Sequence, residues 1–300
     1  MPHNVPRTAP AVAQSNGIEL TYDTFGDVDA PPIGLIMGLA AQMIAWDDDF
    51  CIELAARGHR VIRFDNRDIG LSTRLDHLGL PNVVALLQEQ MQGKPVSAPY
   101  TLSDMAADVI GLLDALDIES AHVVGASMGG TIAQTLAIEH PQRLRTMTSI
   151  MSTSGAPGLP PPQPEALQLL LTPTPTEQAA YYQRYVQTWK VLRGPGFPLD
   201  ESRDLERAAQ TYTRGLNPAG VARHLAAILA SGSHGEALRA VRLPTLVIHG
   251  DADPVVPVEC GIDVAQRVPG AKRLIIENMG HALPIPMWPR IVDAIPEHAH

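Results

Sequence analysis

Short apolar runs alternate with longer amphipathic stretches in the first and last parts of the chain. Runs of this length are typical of buried strands, and the stretches between them carry apolar residues at helical spacing. Parallel strands are expected, because a parallel pair needs a long crossover and both faces of its sheet need cover. The pattern therefore predicts an α/β fold with a mostly parallel central sheet flanked by helices. The predicted strands are residues 33–38, 60–65, 121–126, 144–151, 244–250 and 272–278, and the predicted helices are residues 46–58, 102–118, 128–141 and 258–270.

Local signals near the ends of elements refine this outline. Residues 1–17 are rich in proline and predict a loose arm. Residues 18–27 alternate between apolar and polar positions, which predicts an antiparallel strand at the edge of the sheet. For the helix predicted over 102–118, Ser103 is the expected N-cap.

Residues 155–242 carry helical patterns with no strand between them. The stretch 155–164 is rich in glycine and proline and marks a boundary. We expect a helical cap subdomain of residues 155–242, inserted into a core domain formed by residues 1–154 and 243–300. Inserts of this kind often roof a binding cleft, although a helical extension without a functional part would give the same pattern. Helices are predicted at residues 176–194, 201–215 and 220–232.

A shorter insert, residues 80–99, also has apolar side chains at helical spacing. Two interpretations remain open for it. These side chains either line an entrance to the cleft or pack on the sheet. They are Val83, Val84, Leu87 and Met91.

The composition argues against several classes of protein. The formal net charge is −10 and the pI is about 5.5. Because no run of lysine and arginine occurs, neither nucleic acid nor an anionic membrane is an expected partner. Cys51 and Cys260 lie far apart in the chain, which argues against a disulfide framework and a thiolate metal site. No signal peptide and no run of about 18 apolar residues is found, so we expect a cytoplasmic protein without membrane insertion.

One serine lies between two glycines where a predicted strand meets a predicted helix, in the segment HVVGASMGG, residues 122–130. The chain must turn sharply at Ser127, and glycine at 125 and 129 removes β-carbons that would collide across the turn. The turn is expected to hold the hydroxyl exposed in a strained conformation, beside the positive end of the helix that begins at Met128. A glycine-rich turn with a capping serine, or a phosphate cradle, shares part of this pattern, but no G-K-[ST] sequence follows.

The segment GASMGG, residues 125–130, resembles the nucleophile elbow of the α/β-hydrolase fold family. Further matching segments follow in the family's order and span nearly the whole chain. One of them carries Asp68 where the family usually has glycine, a difference that is similar to esterases of the anthracycline methylesterase type. Aspartate tolerates a left-handed conformation, so a structural role is expected for Asp68. The segments are residues 36–38 (IMG), 64–72 (FDNRDIGLS), 249–257 (HGDADPVVP) and 279–281 (MGH).

A serine nucleophile needs a base with a pKa of about 7 and a third group that orients the base. His281 follows a predicted strand and a glycine turn, so it is expected at the same edge of the sheet as Ser127. The rival base, His249, lies inside an apolar run and is interpreted as a hydrogen-bonded core residue. The family pattern and the proline-stiffened loop favour Asp253 as the acid, while Asp251 is expected to cap the turn.

An oxyanion hole is expected from two backbone amides. One is the N–H of Met128 at the start of the helix after the elbow. By resemblance, the second is the N–H of Leu39, the residue after Gly38. Met37 stands where the family commonly has histidine; the amide donor does not require that histidine, but the hydrogen bonds that anchor the loop must differ.

The substrate pocket is expected to be mainly apolar and to be lined by the two inserts. Methionine and aromatic residues at such places also commonly belong to the core. The candidate pocket residues are Met43, Trp46, Met91, Trp189 and Met287.

The expected reaction is acyl transfer, and ester hydrolysis is its simplest outcome. The resemblance implies a serine carboxylesterase that acts on small or medium, largely apolar esters. Carbon–carbon bond hydrolases, thioesterases and cofactor-free perhydrolases share the same triad, and a non-catalytic relative that binds a small ligand would keep the same fold. No metal-binding or dinucleotide motif is found, so no metal and no cofactor is expected, and the oligomeric state stays open.

Overall fold

The computed structural model describes residues 5–298; residues 1–4 and 299–300, at the two ends of the predicted core domain, lie outside the described residues. The strands of the described part are β1 (Ala11–Ser15), β2 (Ile18–Phe25), β3 (Pro32–Ile36), β4 (Arg60–Phe64), β5 (Ala121–Ala126), β6 (Leu144–Ile150), β7 (Thr245–Gly250) and β8 (Lys272–Ile276). They form one eight-stranded sheet in the order β1-β2-β4-β3-β5-β6-β7-β8. β2 pairs antiparallel with β1 and β4, and every other pair is parallel. The predicted mostly parallel sheet is confirmed.

The helices cover both faces of this sheet. In the part of the chain that the structure describes they are α1 (Asp48–Ala55), α2 (Val83–Met91), α3 (Leu102–Ala115), α4 (Met128–Glu139), α5 (Pro164–Leu171), α6 (Gln178–Leu192), α7 (Glu201–Arg214), α8 (Pro218–Ser231), α9 (Val258–Arg267) and α10 (Trp288–Glu297). α1 and α10 share one core cluster, and α3, α4 and α9 share the other. The neighbouring residues Val123 and Val124 of β5 point into different clusters, as the pleat of a strand buried on both faces requires. No helix within residues 5–298 is long and apolar enough to span a membrane.

The start of the chain differs from its prediction. Instead of a loose arm, residues 11–15 form β1, which pairs with β2 through Ser15 and Ile18, so β1 and not β2 is the edge strand. Asn16 and Gly17 connect the two strands with φ angles of 47° and 78°. Two left-handed residues in a two-residue connection are typical of a type I′ hairpin turn, for which Asn-Gly is the favoured sequence. This dipeptide is a sequence signal for the hairpin.

The N-terminus of α3 also differs from its prediction. The N-cap is Thr101, whose hydroxyl accepts from the amide of Asp104, while the Asp104 carboxylate accepts from the amide of Thr101. These reciprocal bonds form a capping box that satisfies two amides. Ser103 lies inside the first turn, and its hydroxyl donates to Glu139 of α4 at 2.7 Å.

The predicted cap segment, residues 155–242, contains α5 to α8 and no strand, and all of it is described. α6 and α7 lie side by side as an antiparallel hairpin. At one end of the hairpin, Arg193 contacts Asp204 at 2.5 Å. At the other end, the rings of Tyr181 and Tyr212 are 5.9 Å apart. The division into core and cap at residues 155 and 242 stays a prediction.

The shorter insert of residues 80–99 forms α2, which packs against α8. No residue of α2, all of which is described, belongs to either core cluster of the sheet. The insert therefore packs against α8, and the alternative that it packs on the sheet is wrong.

Candidate active site

Ser127 lies at the junction between β5 and α4. Its φ of 57° and ψ of −122° are outside the conformations that non-glycine residues favour, so the turn stores strain of about 1 to 3 kcal/mol. A β-carbon at position 125 would lie 2.0 Å from the carbonyl oxygen of Gly129, and one at position 129 would lie 2.1 Å from that of Ile36. Both glycines are therefore required, one for the turn and the other for close packing of α4 against β3.

The structure brings Ser127 together with the two other residues predicted to act with it. Nε2 of His281 lies 2.9 Å from Oγ of Ser127. Nδ1 of His281 lies 2.7 Å from Oδ2 of Asp253. His281 follows β8 and Asp253 follows β7, so all three side chains emerge at the carboxyl edge of the parallel strands. A continuous hydrogen-bonded chain thus joins a hydroxyl, an imidazole and a carboxylate.

The carboxylate of Asp253 is buried and fully hydrogen-bonded. Oδ1 accepts from the amides of Val255 and Val256, each at 2.8 Å. Burial alone would raise the pKa of Asp253, but the imidazole of His281 and the hydrogen bonds from His249, His281 and the amide of Val256 hold this pKa well below its usual range. Asp253 is therefore ionised at neutral pH.

The alternative base, His249, and the alternative acid, Asp251, each form hydrogen bonds of their own. His249 is completely buried, and its Nε2 donates to the carbonyl of Val256 at 2.7 Å. The same Nε2 lies 3.5 Å from Oδ2 of Asp253, a contact that sequence reasoning missed. Asp251 accepts from the amide of Asn278 at 2.6 Å and so joins the loops that follow β7 and β8.

The loop after β3 passes directly over Ser127. A β-carbon at Gly38 would lie 2.9 Å from Cβ of Ser127, so the backbone that carries the next residue, Leu39, runs beside the elbow. The carbonyl of Met37 accepts from Nδ2 of Asn66 at 2.9 Å. The sequence predicted that the hydrogen bonds anchoring this loop differ from those common in the family. It did not identify Asn66 as the donor, although Asn66 lies within the segment 64–72 that matched the family pattern.

Asp68 adopts the left-handed conformation expected at this position, with a φ of 67°. Its buried carboxylate accepts from Arg223 of α8 at 2.6 Å and 2.8 Å. It also accepts from the hydroxyl of Tyr100 at 2.8 Å and the amide of Leu75 at 2.7 Å. Asp68, which replaces the usual glycine, therefore joins the core to the predicted cap.

The five predicted pocket residues differ in their burial. Trp46 is completely buried in the core cluster under α1, where its ring stacks on Phe50 with the centroids 5.6 Å apart. Met91 lies at the end of α2 with 87% of its surface exposed, because the packed face of α2 is the one toward α8. Met43 is completely buried, while Trp189 and Met287 are half-buried. All five residues stay predictions of the substrate pocket.

Comparison with known proteins places the chain in a family. Residues 31–286 match the family model described as alpha/beta hydrolase fold. The chain is 33% identical to rhodomycin D methylesterase DnrP from Streptomyces peucetius, over 94% of this chain and 95% of the relative. It is 27% identical to a 2-hydroxymuconate semialdehyde hydrolase from Pseudomonas sp. (strain CF600), over 83% and 80%.

A solved structure has the same fold. The 2-hydroxy-6-oxo-6-phenylhexa-2,4-dienoate hydrolase from Rhodococcus sp. strain RHA1 superposes with a TM-score of 0.76 at 19% identity, covering 98% of this chain and 99% of that one. The sheet order, the strained serine turn and the family match agree with one another. This chain belongs to the alpha/beta hydrolase fold family.

Proposed function

We propose that this protein is a serine hydrolase that cleaves carboxylic esters through an acyl-enzyme on Ser127. The observation that carries the proposal is the unbroken chain of hydrogen bonds from Oγ of Ser127 through His281 to Asp253, with spacings of 2.9 Å and 2.7 Å. This arrangement supplies a nucleophile, a base in reach of its proton, and an anion that orients the base.

In the proposed reaction, Oγ of Ser127 attacks the ester carbonyl carbon while its proton passes to Nε2 of His281. The tetrahedral intermediate collapses as His281 returns the proton to the departing alkoxide, which leaves as the alcohol. Water then attacks the acyl-enzyme with His281 as base again, and the acid is released. Asp253 stays ionised throughout and stabilises the imidazolium, in agreement with its lowered pKa.

The oxyanion of that intermediate is proposed to bind two backbone amides. The N–H of Met128 is the first helical amide after the elbow, so it has no partner within α4. The N–H of Leu39 belongs to the loop that passes over Ser127. The loss of one such donor typically raises the barrier by about 2.7 to 4 kcal/mol.

The proposed substrate is a methyl ester of a larger organic acid. The support is the 33% identity, over nearly the whole of both chains, to a protein named as a rhodomycin D methylesterase. We propose that residues 155–242 form the cap over the acyl side of the site, with Trp189 and Met287 as half-buried pocket candidates and Met43 as a buried one. The small-molecule ester is the expected partner.

The test compares the wild-type protein with Ser127→Ala on a series of methyl and p-nitrophenyl esters. We expect kcat to fall by about 10⁴-fold or more, because the hydroxyl that forms the acyl-enzyme is removed. A phosphonate inhibitor is expected to label the Ser127 peptide in the wild type, as seen by mass spectrometry. Ser103→Ala is the matched control, since Ser103 is an exposed serine bonded to Glu139.

Two outcomes would change the proposal. Full activity in Ser127→Ala would remove Ser127 as the nucleophile. Faster cleavage of a vinylogous diketone than of any ester would instead favour a carbon–carbon bond hydrolase, the activity in the name of the 27% identical relative.

A further inference from the structure

The hairpin of α6 and α7 contacts a different loop of the candidate active site at each of its ends. The two helices run antiparallel, so the last turn of α6 and the last turn of α7 lie at opposite ends of the hairpin. Each of these last turns leaves carbonyl oxygens without a partner inside its own helix. For the carbonyls of Leu192 and Thr211, the partners come from the core.

The last turn of α6 accepts hydrogen bonds from the loop that carries His281. The amide of His281 donates to the carbonyl of Leu192 at 2.6 Å, and the amide of Gly280 donates to the carbonyl of Arg193 at 3.0 Å. A β-carbon at position 280 would lie 2.1 Å from the Leu192 oxygen, so only glycine allows this contact. The backbone of the candidate base is therefore fixed by a helix of the predicted cap.

The last turn of α7 accepts hydrogen bonds from Gln42, which follows Leu39 by three residues. Nε2 of Gln42 donates to the carbonyl of Thr211 at 3.0 Å and to that of Gly215 at 2.9 Å. Its Oε1 accepts from Nε of Arg214 at 2.8 Å. Gln42 is 3% exposed, so none of these bonds competes with bulk water.

The contacts of Arg214 close this network on the core side. The Arg214 guanidinium also contacts the carboxylate of Asp65, which is completely buried just after β4. Asp65 in turn accepts from the amide of Met43 at 2.7 Å. Gln42 and Met43 are thus held from two directions, and both lie on the carboxyl side of the proposed oxyanion donor.

We propose that the α6–α7 hairpin positions both halves of the reaction centre, with Gln42 and Arg214 as the positioning residues of the loop 37–43. This inference rests on the proposed function. Because the hairpin spans from the loop of His281 to the loop of Leu39, it sets the distance between the base and the oxyanion donor. A displacement of about 1 Å can cost about 100-fold in rate, so this coupling makes the cap part of the catalytic scaffold.

The sharpest variant is Gln42→Glu. It keeps the size of the side chain and the acceptor for Arg214, but replaces the donor with an oxygen that faces the carbonyls of Thr211 and Gly215. We expect kcat for a methyl ester to fall by about 10- to 100-fold with KM within about twofold, because the loop loosens without a change in ground-state contacts. The affinity for a phosphonate transition-state analogue is expected to fall in parallel with kcat.

The matched control is Gln178→Glu, which makes the same chemical and charge change on the exposed start of α6, where Gln178 donates to the hydroxyl of Tyr182. This variant is expected to keep the kcat of the wild type. Hydrogen exchange is the second readout and needs no substrate. In Gln42→Glu the amides of residues 37–43 are expected to exchange faster, and those of residues 279–282 at the far end of the hairpin are expected to follow.

The outcomes separate this inference from the proposed function. If Ser127→Ala is inactive while Gln42→Glu matches Gln178→Glu in kcat and in exchange, the positioning role is overturned and the hydrolase stands. If Ser127→Ala is active, the proposed function fails, and the exchange data alone decide whether the hairpin couples the two loops. If Gln42→Glu does not fold, Arg214→Lys replaces it with the same readouts, since it keeps the charge beside Asp65 but loses the guanidinium geometry.

Discussion

Asp253 has a separate role for each of its two carboxylate oxygens. The two amides on Oδ1 fix the plane of the carboxylate, which leaves Oδ2 to face Nδ1 of His281 at 2.7 Å. An ionised carboxylate only accepts hydrogen bonds, so Nδ1 must carry the proton. Nε2 then presents its lone pair to Ser127. The buried carboxylate of Asp253 thus selects the tautomer of His281.

Asp253→Asn tests this selection. The asparagine amide keeps the size of the carboxylate but can offer a donor to Nδ1, which favours the wrong tautomer. We expect kcat to fall by about 10⁴-fold at neutral pH while the circular dichroism spectrum and the fold are retained. The control is Asp251→Asn, two residues away, which keeps the oxygen that accepts from the Asn278 amide and is expected to stay near wild-type kcat.

Equal losses of kcat in the two aspartate variants would mean that activity depends only on the conformation of the loop after β7. That result would remove the tautomer argument for Asp253. A large loss in Asp253→Asn alone would support it.

At the scale of elements, the turn 65–72 is defined by a residue that differs from the family pattern. A glycine at position 68 would adopt the observed φ of 67° without strain. Aspartate accepts some strain there, and its carboxylate pairs with the buried guanidinium of Arg223 on α8. The stabilisation from this ion pair outweighs the backbone strain at Asp68, because a buried arginine without its partner is costly.

Asp68→Gly is therefore expected to destabilise the protein although it restores the family's residue. We expect the free energy of unfolding to fall by about 3 kcal/mol, measured by urea denaturation, because Arg223 loses its buried partner. Asp76→Ala is the control on the same arginine: Asp76 is an exposed partner at 3.1 Å, and its loss is expected to cost under about 1 kcal/mol. The double variant Asp68→Gly/Arg223→Met is expected to recover part of this loss. An unchanged free energy of unfolding in Asp68→Gly would contradict the role of Asp68 as the buried partner of Arg223.

The elements that sequence predicted well are those with local signals. The strand, turn and helix around Ser127 were predictable, because apolar periodicity and glycine spacing act over a few residues. β1 was missed because it is a short edge strand in which only Ala13 and Ser15 are buried, although the Asn16-Gly17 turn is a sequence signal for it. Thr101 was missed as a cap because Ser103, also a capping residue, lies two positions later.

The contacts that hold the site together from a distance had no local signal. Gln42 reaches Thr211 across 169 positions, and the amide of His281 meets a carbonyl of α6 that lies far back in the chain. Polar residues such as Gln42 and Arg214 look like ordinary surface residues in the sequence. Their partners are fixed only when the whole chain has folded, which is why sequence reasoning expected an apolar lining and did not foresee the polar network.

At the scale of the whole molecule, several ion pairs join the predicted cap to the core. Core aspartates bind cap arginines at separate places, so the interface is polar as well as apolar. A buried histidine of α8, His224, adds a neutral hydrogen bond, from its Nε2 to the carbonyl of Arg67 at 2.8 Å. The core aspartates are Asp47 with Arg203 and Arg207, Asp65 with Arg214, and Asp68 with Arg223.

His224 makes this interface sensitive to acid. It is completely buried, and burial lowers its pKa to about 4. In the unfolded chain a histidine has a pKa of about 6.5, so the unfolded state takes up the proton first as the pH falls. The stabilisation from a neutral His224 is therefore complete above about pH 6.5 and is lost between about pH 6.5 and 4, by about 3 kcal/mol in total.

The variant His224→Gln removes the titrating group while its side-chain amide can still donate to the Arg67 carbonyl. Urea denaturation at about pH 7 and about pH 5 gives the loss of unfolding free energy for each protein. We expect the wild type to lose about 2 kcal/mol more than the variant over this interval. At about pH 5 the histidine at position 224 is protonated in the unfolded wild type and must release its proton when the chain folds, whereas the glutamine of the variant does not titrate. An equal loss in both proteins would mean that His224 is protonated at no cost in the folded state, which its burial beside Arg67 and Arg223 forbids if the interface stays closed. The loss of unfolding free energy at acid pH would then have to come from opening of the cap before global unfolding. Faster hydrogen exchange of the α8 amides at about pH 5 would reveal this opening.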